Sequence, residues 1–301
     1  MSADLQTRWD KIKNTSFFQK YKPHNILFKS FYTIKNLSVK DLSRIPAAAY
    51  RNLTASISLV PAISFFALPR SASQSIAYAL ADTLKIVQLT EATQHNFTQN
   101  VISVRPYVER PRRGFIIYVH LPASNINLQT IRYYNVKCIA HIRDPRDAVL
   151  SLSRLIINKY NSAGIQSRLF VTELMSYEGQ QPVTISEDII KSGYHRVLDW
   201  ILEHRYESFV KWVSDWISAR NSMKELVHLT SYEEFVADSD SYFRNIYEFY
   251  DIKSDKMPPI YKRHFNKGIA RNFETEMTPE QRVYATKMIP DLIYEHTLIR
   301  P

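Results

Sequence analysis

Four short stretches of the chain carry side chains suited to gripping an anion and moving a proton. PRSASQS, Pro69 to Ser75, sets Arg70 among small hydroxyl residues, and HIRDPRDAVLS, His141 to Ser151, spaces Arg143 eight positions from Ser151. NKGIARNF, Asn266 to Phe273, brings Lys267, Gly268 and Arg271 together. Guanidinium, ammonium and hydroxyl groups of this kind donate several hydrogen bonds to one point, which is what a phosphate needs. The fourth stretch, VHLP at Val119 to Pro122, contributes His120, whose imidazole can take or give a proton near neutral pH. Each has a plainer alternative. A lone histidine is often a loop residue with no role, and Arg143 and Arg146 could be surface charges paired with Asp144 and Asp147.

The elements around these stretches give them their places. Ile63 to Leu68 is an apolar run bounded by Pro61 and Pro69, as in a strand covered on both faces of an α/β sheet. Beyond the serines, Ile76, Ala77, Leu80, Ala81 and Leu84 follow helical spacing. A strand feeding a turn at a helix start leaves free N–H groups and the positive dipole end aimed at one spot. The turn contains no glycine, so GxxxxGK[ST] is absent, which argues against a standard nucleoside triphosphatase.

Gly114 to Val119 reads as another strand, leaving His120 just past its carboxyl end, where open α/β sheets place their sites. Val136 to Ile142 is a further buried strand. Asp144 is suited to cap the helix that follows and Pro145 to its first turn. Lys85 to Thr90 and Glu225 to Thr230 read as additional strands, and Tyr242 to Tyr250 as a helix. Phe209, Trp212, Val213, Trp216 and Ile217 form a core-facing helical stripe. Thr278 and Pro279 open a C-terminal helix. Glu91 to Arg113 reads as a surface loop and Ile156 to Gly193 as a polar insertion, the usual places for substrate contacts.

Composition sets the outer limits. The 301 residues are 45% hydrophobic and 23% charged, the profile of a globular protein with a sizeable core. Lys and Arg number 39 against 29 Asp and Glu, a net charge of +10, which favours an anionic partner without choosing among them. The single cysteine, Cys138, has no internal disulfide partner and lies in an apolar run, so it reads as a packed core thiol and nothing points to an oxidising compartment. The apolar window Ile57 to Leu68 is too short to span a bilayer, and the N-terminus shows no secretory apolar region, which makes the cytoplasm the expected location.

Taken together and in order, these stretches resemble the cytosolic PAPS-dependent sulfotransferases. PRSASQS is similar to the family's 5′-phosphosulfate loop, VHLP to its THLP element with the catalytic histidine, and HIRDPRDAVLS to its 3′-phosphate element. YESFVKWVSDW, LTSYEEF and NKGIARNF followed by TPEQ resemble later family segments, so that the likeness runs from about Ile63 to Ile289. The turn departs from the pattern at Ala72, which replaces a glycine, and at Ser75, which replaces a tryptophan; Tyr118 stands where some members carry lysine.

The resemblance implies one α/β domain with a central parallel sheet flanked by helices, like the P-loop nucleotide-binding fold. Residues 55–301 would form it and residues 1–54 a helical or irregular extension. It implies the donor 3′-phosphoadenosine 5′-phosphosulfate (PAPS), the product adenosine 3′,5′-bisphosphate, and no metal. Arg70, Ser71, Ala72, Ser73, Gln74 and Ser75 would hold the phosphosulfate, Arg143, Ser151, Lys267 and Gly268 the 3′-phosphate, and Tyr206 would lie near adenine. His120 would be the general base and Arg70 would neutralise the leaving group. The acceptor would be a hydroxyl or amine of a small molecule, lipid or saccharide, with no specific nucleic acid and no transmembrane segment; a homodimer is among the assemblies allowed. Two other readings stand beside it: a P-loop-like kinase, and a non-catalytic basic protein that binds polyanions.

Overall fold

The computed structural model describes residues 60–89, 101–109, 114–163, 185–259 and 270–296. The N-terminal extension, most of the 91–113 and 164–184 loops, Lys267 and Gly268 lie outside the described residues. In chain order the elements are β1 (Ile63–Ala67), α1 (Ser73–Leu84), β2 (Val87–Leu89), α2 (Arg105–Glu109), β3 (Phe115–Val119), α3 (Asn125–Tyr133) and β4 (Cys138–Ile142). There follow α4 (Pro145–Ala163), α5 (Glu187–Lys191), α6 (Tyr194–His204), α7 (Tyr206–Ser222), β5 (Val227–Ser231), α8 (Tyr232–Ala237) and α9 (Ser239–Phe249). The last three are α10 (Phe273–Glu276), α11 (Pro279–Lys287) and α12 (Asp291–Tyr294).

The five strands pair in parallel in the order β2-β3-β1-β4-β5. In the centre, Phe66 of β1 lies opposite Val119 of β3 on one side and Ala140 of β4 on the other. Both faces are covered, which is why β1 and β4 consist of apolar residues with few interruptions. Phe66, Val119, Cys138 and Ala140 face a core shared with α4, α6 and α7, while Ile63, Phe65, Ile116 and Ile139 face one shared with α1 and α9.

This arrangement locates the site. The chain leaves β1 through α1 on one face and leaves β4 through α4 on the opposite face. Where neighbouring strands send their connections to opposite faces, a crevice opens at their carboxyl ends. Arg70 and Arg143 stand at that crevice, and β3, on the other side of β1, delivers His120 beside them.

The polar insertion begins later than the sequence suggests. Helix α4 runs on to Ala163 because Val149, Leu152, Ile156 and Tyr160 extend one apolar stripe down its length against the core. Helix α6 was legible in the same way from Val197, Leu198 and Ile201, all fully buried, but its polar flanks conceal it.

Candidate active site

The turn after β1 is shaped by two residues with left-handed backbone, Arg70 at φ 70° and Ala72 at φ 59°. Neither is glycine, so each bears a steric cost of roughly 1–2 kcal/mol that the surroundings must offset. The offset comes from the turn's carbonyl groups. The Ser71 hydroxyl donates to Leu68 O at 2.7 Å, Arg143 Nη1 donates to Arg70 O at 2.7 Å, and His141 Nε2 donates to Ser71 O at 2.9 Å. In a trans peptide the C=O and N–H point opposite ways, so drawing the Arg70 and Ser71 carbonyls inward turns the N–H groups of Ser71 and Ala72 outward.

With Ala72 as the N-cap of α1, the N–H groups of Ser71, Ala72, Ser73 and Gln74 make no hydrogen bond among the described residues. Ser75 differs from the expectation: its N–H closes the turn on Ala72 O at 3.0 Å and its side chain is buried, so it shapes the cradle from behind. Gln74 is exposed at the rim.

The second turn meets the first. Arg143 is buried at 5% exposure, its guanidinium lies 4.1 Å from the centre of the Tyr232 ring, and its Nε has no hydrogen-bond partner among the described residues. Arg70 Nε donates to Ser151 Oγ at 3.1 Å, so both ends of the Arg143 to Ser151 interval touch Arg70. Among the described residues neither arginine forms an ion pair with a carboxylate. Burial, and next the charge of Arg143, pull the Arg70 guanidinium below its ordinary value. Two guanidinium groups thus meet at one crevice, with Asp147 and Glu233 acting on Arg143 only from beyond ion-pair distance.

Arg146 is the contrast. Its guanidinium grips Asp144 through Nη2–Oδ2 at 2.7 Å and lies 3.7 Å from the centre of the Phe273 ring, so the surface-pair alternative becomes a buried pair for Arg146 and fails for Arg143. Asp144 Oδ1 also accepts from Arg146 N–H at 2.8 Å, capping α4. Asp147 accepts from the N–H groups of Arg271 and Phe273 at 2.7 and 3.0 Å, fastening the end of the basic NKGIARNF stretch to the first turn of α4.

His120 Nδ1 lies 2.7 Å from Ala67 O, at the end of β1, and its Nε2 lies 3.1 Å from the Tyr118 hydroxyl. Burial holds its pKa below the ordinary 6.5, with the Arg70 charge acting the same way, so the ring is neutral at pH 7. The backbone beyond it is fixed from α7 and α3: Trp216 Nε1 donates to Leu121 O at 2.9 Å and Asn127 Nδ2 to Pro122 O at 2.9 Å.

The sequence profile of the sulfotransferase domain family matches residues 57–275, which include all of these turns. The chain belongs to the sulfotransferase family. No curated protein sequence matches it. Among solved structures, the sulfotransferase is similar to mouse sulfotransferase SULT7A1 complexed with PAP, at 14% identity and a TM-score of 0.52, over 83% of this chain and 96% of that one. It is also similar to a sulfotransferase from Alicyclobacillus acidocaldarius, at 13% identity and a TM-score of 0.49, over 80% and 97%. The fold is therefore the P-loop-like α/β fold of sulfotransferases.

Within this sulfotransferase the structure brings Arg70, Ser71, Ala72, Ser73, Arg143, Ser151 and His120 together at the ends of β3, β1 and β4. It does not bring Tyr206 to them: that ring is fully buried at the start of α7 and its hydroxyl donates to Ala285 O at 3.1 Å, a packing position between α7 and α11. Two residues the motifs did not single out are part of the site's frame. His141, fully buried, bonds Ser71 O through Nε2 and has Thr230 Oγ1 and the Tyr242 hydroxyl each 3.0 Å from Nδ1. Glu233, buried on α8, accepts from Asp144 N–H at 3.1 Å. A histidine inside an apolar strand was the available signal for the first; nothing local marks the second.

Proposed function

We propose that this sulfotransferase moves a sulfuryl group from PAPS to a hydroxyl or amine of a small-molecule, lipid or saccharide acceptor, in the cytoplasm, with His120 as general base. The observation that carries this reading is the bond from Arg143 to Arg70 O, which joins two anion-binding turns beside a neutral histidine. The residues fit the donor. Outward N–H groups of Ser71 to Gln74 suit its 5′-phosphate, and the buried Arg143 Nε, with no protein partner among the described residues, suits a further phosphate together with Ser151. The mouse protein of the same fold, solved as a complex with PAP, and the single buried cysteine support the reading too. Lys267 and Gly268 complete the 3′-phosphate contacts in this proposal.

PAPS supplies an activated sulfuryl group whose transfer, like phosphoryl transfer, asks the protein mainly for alignment and charge neutralisation. Arg70 neutralises charge where the leaving phosphate oxygen develops it. The Nδ1–H of His120 donates to Ala67 O, so Nε2 holds the lone pair that takes the acceptor's proton. Thermal unfolding tests the nucleotide: adenosine 3′,5′-bisphosphate at a hundred times its Kd should stabilise the protein by about 2.7 kcal/mol and 5′-AMP by much less. Equal shifts from the two nucleotides would remove the 3′-phosphate from the reading.

A further inference from the structure

The hydroxyl of Tyr118, on β3, lies between two groups, 3.1 Å from His120 Nε2 and 3.2 Å from Ser73 Oγ. One carbonyl fixes the direction of both bonds. Ala67 O can only accept, so His120 Nδ1, 2.7 Å away, carries the ring's hydrogen. In a neutral imidazole Nε2 is then bare, and Tyr118 donates to it. Having given its hydrogen that way, Tyr118 Oη accepts from the Ser73 hydroxyl. The result is a directed chain from Ser73, at the first position of α1, through Tyr118 to His120. Burial raises the Tyr118 phenol and lowers the His120 imidazole, so both are neutral at pH 7.

We propose that Tyr118 is a relay residue that carries the acceptor's proton from His120 to Ser73 and so to the phosphate oxygen that the sulfuryl group leaves. The proposal rests on the reading above of His120 as base and of the turn as the donor's site. The step balances. The bond from the acceptor oxygen or nitrogen to sulfur forms as the bond from sulfur to the phosphate oxygen breaks, its electron pair staying on that oxygen. The acceptor's proton goes to His120 Nε2, from which the Tyr118 hydroxyl has turned away. That proton passes to Tyr118 Oη, Tyr118 passes its own to Ser73 Oγ, and Ser73 passes its own to the phosphate oxygen. When the shift is complete each hydroxyl again points from Ser73 toward His120, the direction the Ala67 carbonyl imposes in the structure.

Tyr118→Phe keeps the ring and removes the hydroxyl. In the free protein, nitrogen NMR of labelled histidine should show the His120 Nε2 resonance shifting in the variant, because that atom loses its donor; an unmoved resonance would overturn the relay. The Kd for adenosine 3′,5′-bisphosphate, by calorimetry, should stay within about twofold of wild type. With radiolabelled PAPS and water as the acceptor, sulfate release should slow roughly tenfold or more. The rate plotted against deuterium fraction should be bowed in wild type, where several protons move, and straight in the variant. A variant that binds the bisphosphate normally and releases sulfate at the wild-type rate would overturn the relay and leave the site reading standing. If neither protein binds the bisphosphate, the site reading falls and the relay falls with it.

Discussion

The guanidinium of Arg143 donates to the carbonyl oxygen of Arg70 at 2.7 Å, joining two turns that are 73 residues apart in the chain. Arg143 thereby orients a peptide of the first turn while its Nε stays unbonded among the described residues, as the proposed 3′-phosphate contact requires. Arg143→Lys should fail as Arg143→Ala does, because an ammonium on a single stem cannot serve both directions. Calorimetry should show each variant binding adenosine 3′,5′-bisphosphate about 10²-fold more weakly or worse. A lysine variant of wild-type affinity would mean that charge alone, without the fork, suffices.

His120→Ala should separate binding from chemistry. Affinity for the bisphosphate should stay near wild type, since His120 bonds Ala67 O and the Tyr118 hydroxyl rather than the turn's N–H groups. Sulfuryl transfer should fall by roughly 10²–10⁴. In the wild type the acid limb of the rate profile should lie below pH 6.5, because burial depresses the imidazole pKa. Rate loss would then begin only as the solution becomes distinctly acidic.

His141 anchors the turn from beneath. Its Nε2–H is the donor for Ser71 O, so His141→Phe leaves a buried carbonyl without a partner, at about 1–3 kcal/mol. Urea unfolding should register that loss, and bisphosphate affinity should fall with it as the Ala72 N–H loses its aim. His141→Gln, whose amide can donate to the same oxygen, should recover much of the affinity. If His141→Phe binds as tightly as wild type, the turn needs no such anchor.

Glu233 gives a pH signature of stability. Burial, with the Asp144 charge adding to it, pushes its carboxyl up to about 8, while Arg143 and the Asp144 N–H pull the other way. The folded protein thus keeps a proton that the unfolded chain has lost above about pH 4.5. Stability must fall as pH rises through that window, by up to about 1.4 kcal/mol per pH unit. His141, held down to about 4, has the opposite slope, its contribution growing from pH 4 to 6.5, so the Glu233 decline should show best between pH 6.5 and 8. Glu233→Gln should abolish that decline in urea midpoints measured across the range. Parallel curves for the two proteins would show that Glu233 is ionised in the fold.

Much of this architecture could be read before any coordinates. Strands β1, β3 and β4 are short, mainly apolar runs with a proline, a histidine and an arginine just beyond them, and such runs are buried in the interior of a parallel sheet. The meeting of Arg70 with Ser151 follows from strand order, which places β1 beside β4. What stayed hidden were contacts whose partners lie far apart with no repeating pattern. His141 reaching Ser71 O, Glu233 under Asp144, and Asp147 fastening residues 271 and 273 are one or two bonds apiece across 70 to 126 positions. Tyr206 shows a related limit: its place in a motif marks a position along the helix, while packing sets the side chain's direction, here toward Ala285 O.

The carbonyl oxygens of Ala67, Leu68, Arg70 and Ser71 are all engaged from within, by His120, the Ser71 hydroxyl, Arg143 and His141. A visitor to this rim therefore encounters hydrogen and almost no lone pairs, which makes the turn a one-way filter for charge sign. The proposed donor, an oxyanion, suits that rim better than a magnesium or sodium ion would. Such a bias needs no glycine, only neighbours that hold these four oxygens toward the floor.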